Sequence, residues 1–169
     1  MHTYQAKPDD LRAVAAADLV VMNGLGLDDW LEETILAASS DAAIVRLGPD
    51  NPAVELLPGD EPATQNPHLW LDVAYAELYV TRIAAALKAE APASAGDIDR
   101  TSDAYVQTLV DLDRWVREEI ATIAEEDRRL VTFHDALPYF ARAYGLDVVG
   151  VAVKAPGQDP SSGEIAALM

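Results

Sequence analysis

Residues 9–26 read DDLRAVAAADLVVMNGLG, and this stretch decides the fold. Pro8 and Asp9 open a helical segment, which runs into the apolar tetrad Leu19-Val20-Val21-Met22 and then Asn23-Gly24; the reading is helix, strand, turn. Residues 28–39, DDWLEETILAAS, follow with Trp30, Leu31, Ile35 and Leu36 at helical spacing behind an acidic first turn that suits the helix dipole. Residues 43–47 then form a short apolar strand. Helix alternating with short apolar strand predicts an α/β layer built on a parallel sheet.

Further along, the proline-rich residues 48–66 show no apolar period and read as a long surface loop that ends just before His68. A helix is expected over 70–89, with a break at Pro92 to Gly96. A longer helix over 97–126 carries Ile98, Tyr105, Leu109, Leu112, Val116 and Ile123 on one stripe, with the charges elsewhere. The alternation then resumes, with strands over 130–133 and 148–153 around a helix at 136–144 that Gly145 ends, and a helix start over 160–169. Trp30, Trp70 and Trp115 lie on apolar helical stripes and are read as packing residues. Asn23-Gly24-Leu25-Gly26 has neither the third glycine of a dinucleotide fingerprint nor the lysine of a phosphate-binding loop, and is read as a tight turn.

Twelve basic residues against 29 acidic give a net charge of −17. Such a chain repels nucleic acid and anionic membrane surfaces and favours cations as partners, although a diffuse negative field selects no particular ion. With no cysteine, a disulfide framework and a thiolate site are both ruled out, so any metal site must use nitrogen and oxygen. No apolar run has membrane-spanning length, and the first residues lack the pattern of a signal peptide.

The sequence has three histidines, His2, His68 and His134. Each stands where a loop or strand gives way to a helix, the part of a parallel α/β layer where ligands bind. A single histidine in such a place is ordinarily a surface or core residue. Three at equivalent junctions point to a shared site, and imidazole suits zinc and other first-row metals.

Four ordered segments carry a resemblance to a known family. The opening HTYQAKPDDLRAVAAADLVVMNGLGLDDWL, the motif NPHLWLDV, the segment VTFHDALPYFARAYGLDVVGV and the closing DPSSGEIAAL together resemble the metal-binding solute-binding proteins of zinc and manganese ABC importers, cluster A-I. The resemblance implies an α/β fold of two small parallel-sheet lobes joined by one long helix. Residues 1–94 would form the N-terminal lobe without its first strand and helix, 95–127 the linking helix, and 128–169 the start of an incomplete C-terminal lobe. It also implies that His2, His68 and His134 ligate Zn2+, with Mn2+ as the alternative. The expected function is non-enzymatic: an extracytoplasmic monomer captures the ion and delivers it to an ABC transporter permease, and protonation of the imidazoles releases it.

Against the family pattern, Met1 stands where a proline precedes the first ligand, and the fourth ligand, an aspartate, would lie beyond Met169; the expectation is a chain cut at both ends. Asn66 replaces the motif aspartate and Val73 the motif proline, changes of turn chemistry rather than of ligand atoms. Two other readings stand beside this one. A fragment lacking a carboxylate ligand would bind metal poorly. Three histidines with an open fourth position would also suit a zinc hydrolase, in which Asp135 is either a general base or merely the cap of the next helix.

Overall fold

The computed structural model describes residues 4–59 and 62–153. The expected helix start at 160–169 therefore lies outside the described residues, as does His2. Five helices and four strands occur among those described: α1 Pro8–Ala15, β1 Leu19–Met22, α2 Asp29–Ala38, β2 Ala43–Arg46, α3 Val73–Glu90, α4 Ala95–Ala121, β3 Arg129–Thr132, α5 Pro138–Tyr144 and β4 Asp147–Val151. The fold is α/β, with two small parallel sheets and one long helix, α4, of 27 residues.

Contacts divide the described residues into two compact units, one within 4–55 and 77–107 and the other within 56–59, 62–76 and 108–153. This grouping cuts within α3 and α4, whereas the expected division at 94 and 127 follows chain order. In the first unit, β1 pairs in parallel with β2, Leu19 facing Ala43 through Met22 facing Arg46. The helix α1 begins at Pro8, whose fixed φ suits a first helical position, and the Asp10 carboxylate turns back to accept the Lys7 backbone N–H at 2.7 Å. Val14, Val20, Met22 and Ile35 form the core over which α1 and α2 pack on the sheet. Burial of each such side chain is worth roughly 1.5–3 kcal/mol.

The polypeptide leaves β1 through Gly24, Leu25 and Gly26, all at positive φ (78°, 59° and 82°). A Cβ on Gly24 would stand 2.8 Å from the Pro49 ring, so both its backbone angle and its surroundings call for glycine. The Asp28 carboxylate closes this turn by accepting the backbone N–H groups of Asn23 at 2.6 Å and Gly24 at 2.8 Å. Tyr79 of α3 donates its hydroxyl to the Asn23 side-chain oxygen at 2.7 Å. Arg82, one turn further on, donates to the carbonyls of Arg46 and Asp50 and so anchors the end of β2.

In the second unit, β3 pairs in parallel with β4, with a register shift between Leu130 and Val131. The Arg117 guanidinium of α4 grips the Asp113 carboxylate with two hydrogen bonds, 2.8 and 3.1 Å. Tyr144 of α5 donates its hydroxyl to the same carboxylate at 3.0 Å, and the guanidinium stacks over the Tyr144 ring. The Arg117 contact holds the Asp113 carboxyl below its ordinary range, while burial pushes the Tyr144 phenol well above its own.

Helix bounds differ from expectation where local chemistry overrides the apolar pattern. The helix expected from 70 begins at Val73, after a single 3-10 turn over Leu69–Leu71, because the Asp72 side chain accepts the Ala74 N–H and halts the tighter turn. The helix expected from 136 begins at Pro138, a first-position proline that fixes its start. Trp70 and Trp115 are 37% and 56% exposed, so neither is the buried packing residue that its stripe suggested.

Candidate metal centre

His68 and His134 both belong to the second unit. His68 ends the irregular segment after Leu56 and immediately precedes the turn Leu69–Leu71; Leu69 beneath it is fully buried, and His68 itself is 7% exposed. His134 follows β3, at the point where that strand gives way to the turn before α5. The two imidazoles meet edge to face, with ring centroids 5.3 Å apart. Trp70 meets His68 at a tilt, 5.4 Å between centroids.

Asn66 organises the pair. Its side-chain oxygen accepts the His68 backbone N–H at 3.1 Å and lies 2.9 Å from His68 Nδ1. Its side-chain NH2 group donates across 69 residues of sequence to the Asp135 backbone oxygen at 2.8 Å and to the Asp135 carboxylate at 3.0 Å. Tyr139, fully buried, holds the backbone of the same segment: its hydroxyl donates to the Asn66 carbonyl at 3.0 Å and accepts the Leu57 N–H at 2.9 Å. Burial raises the Tyr139 phenol above its ordinary pKa, which keeps it protonated and able to donate.

Asp135 therefore has a third role besides the two weighed from sequence. No side chain caps α5, and the Asp135 carboxylate instead receives the Asn66 amide. His68 and His134 stand together, while His2 lies outside the described residues. Among the described residues no group of three or more histidine, aspartate or glutamate side chains converges as a complete metal cage. What the arrangement offers is two imidazoles, adjacent in space and supplied by separate loops, in a chain of net charge −17 that draws cations.

The family model for the periplasmic zinc-uptake complex component A matches residues 1–169. The chain belongs to this family. The manganese-binding lipoprotein MntA of Halalkalibacterium halodurans is 37% identical over 150 residues, covering 89% of this chain and 49% of that protein. The iron-binding protein YfeA of Yersinia pestis is 32% identical over 152 residues, covering 88% and 48%. The chain thus spans about half the length of these relatives. Among solved structures, the periplasmic zinc-binding protein TroA of Treponema pallidum superposes with a TM-score of 0.84 at 30% identity, over 99% of this chain and 60% of that one. The α/β fold with small parallel sheets and a long helix is the fold of this family.

Sequence reasoning missed Tyr139 and the reach of Asn66. Asn66 was visible as a departure from the family motif, which is a signal; Tyr139 looked like any apolar position of a short helix. No helix among the described residues is long and apolar enough to cross a membrane.

Proposed function

We propose that this chain is the metal-capturing part of an extracytoplasmic substrate-binding protein, taking up a divalent ion through His2, His68 and His134 and passing it to an ABC importer permease. The protein works as a monomer and turns over no substrate; the ion is cargo. The observation that carries this reading is the edge-to-face approach of the His68 and His134 rings, 5.3 Å between centroids, from two loops that Asn66 ties together. Zinc is the favoured cargo, because three imidazole donors suit a borderline ion better than the oxygen-seeking manganese. Relatives described as binding manganese, iron and zinc support divalent transition-metal capture as the class.

Calorimetric titration of the chain with zinc at neutral pH tests the reading, with manganese titrated in parallel. One equivalent of zinc, bound more tightly than manganese and lost in His134→Ala, is the expected result. A folded sample that takes up neither ion, or one that binds zinc equally with and without His134, would overturn it.

A further inference from the structure

Asn66 stands where the family motif carries an aspartate, and its surroundings leave only one way for its amide to point. The side-chain group facing Asp135 lies 2.8 Å from a carbonyl oxygen and 3.0 Å from a carboxylate oxygen, both acceptors, so it must be the NH2. The group facing His68 receives that residue's backbone N–H at 3.1 Å, so it must be the oxygen. An oxygen accepts and cannot donate. The His68 ring nitrogen 2.9 Å away is Nδ1, and for a hydrogen bond to form there it is Nδ1 that carries the proton.

We propose that Asn66 is a positioning residue of the metal site. Its amide oxygen holds His68 in the Nδ1–H tautomer, so that Nε2 presents the lone pair to the ion. Its NH2 group fastens the His134 loop through Asp135. This rests on the reading of His68 and His134 as ligands and deepens it. The residue is well placed for such work: it is 2% exposed, and its own carbonyl is held by the buried Tyr139 hydroxyl, so the amide has little freedom to rotate or to find water instead. A metal-bound histidine ordinarily directs its second nitrogen to a carboxylate or a carbonyl. Here a neutral carboxamide takes that place, and unlike a carboxylate it also has hydrogens to give to a second loop.

The two halves of the amide can be separated. Asn66→Ala removes both. Asn66→Asp keeps an acceptor for His68 but sets an oxygen against the Asp135 carboxylate. Long-range 15N–1H correlation spectra of the metal-free, histidine-labelled chain, recorded well above the ~6.5 at which free imidazole protonates, read the tautomer directly. The expected result is an Nδ1–H His68 in the wild type and in Asn66→Asp, and loss of that preference in Asn66→Ala. Zinc affinity should fall about 10- to 100-fold in Asn66→Ala, as for other lost partners of a ligating histidine. A wild-type His68 protonated on Nε2, or an unchanged tautomer in a folded Asn66→Ala, would overturn the proposal. Should Asn66→Ala not fold, the wild type and Asn66→Asp decide it. Because the spectra need no metal, expected tautomers in a chain that fails to bind zinc would sink the metal reading while the hold of Asn66 on the His68 tautomer stands.

Discussion

The turn at residues 23–28 and the loops at 66–68 and 134–135 are held in the same manner, a side chain bonding to backbone, yet to different ends. In the first, the Asp28 carboxylate accepts two N–H groups of the turn it belongs to, so the hydrogen bonds close within six residues. In the second, Asn66 bonds to its own neighbour His68 on one side and to Asp135 on the other, across most of the unit. The first arrangement makes a corner closed by its own carboxylate, with Tyr79 of α3 bonded to it through the Asn23 side chain. The second sets two histidines side by side, and the groups that hold them are not the groups they would offer to a ligand. A turn closed by its own carboxylate shapes the fold; a bond between loops sets the spacing of a site.

Substitutions can break this contrast. The largest effect is expected from His68→Ala, which should lower zinc affinity by more than the ~10–100-fold typical of a lost supporting partner, measured by competition with a chelating indicator. Next is Tyr139→Phe. Removing its hydroxyl leaves the Leu57 N–H and the Asn66 carbonyl short of a partner, at a cost of about 1–3 kcal/mol in urea unfolding, with weaker zinc binding in the folded fraction. Asp28→Ala should cost about 1–2 kcal/mol of stability while the His68 tautomer stays as it is in the wild type. If it altered the tautomer, the division between corner and site would fail.

The smallest effect concerns the Asp113–Arg117–Tyr144 cluster. Arg117, and then the Tyr144 hydroxyl, hold the folded Asp113 carboxyl below the 3.8 of the free group. A carboxyl depressed in the folded state binds fewer protons there than when unfolded, so its stabilisation is present above that value and disappears as pH falls through the folded pKa. Arg117 is half exposed, and Asp113→Asn should therefore cost only about 1 kcal/mol at neutral pH. Urea unfolding of wild type and variant should converge as the pH is brought below about 4.

Much of the fold was legible because it rests on short-range pattern. The apolar runs Leu19–Met22 and Ala43–Arg46 are strands, and Asn23-Gly24 is a turn, since composition and backbone freedom settle these within a few residues. The stripe of α4 located the helix but overstated its packing: a helical period shows which residues share a face, not whether anything covers that face, and Trp115 is largely exposed. The histidines of the candidate site were named from their junctions, whereas the link between Asn66 and Asp135 could not be, because a contact across 69 residues leaves no local period. Asn66 read as a turn residue, and Asp135 as a cap or a base; each is what it is only in the presence of the other.

Whether His68 and His134 close on one divalent ion is read by zinc K-edge X-ray absorption of the zinc-loaded chain. The first shell should contain at least two nitrogens at about 2.0–2.1 Å with the multiple-scattering signature of imidazole, reduced by one in His134→Ala. A first shell of oxygen alone, or the same imidazole count with and without His134, would contradict it.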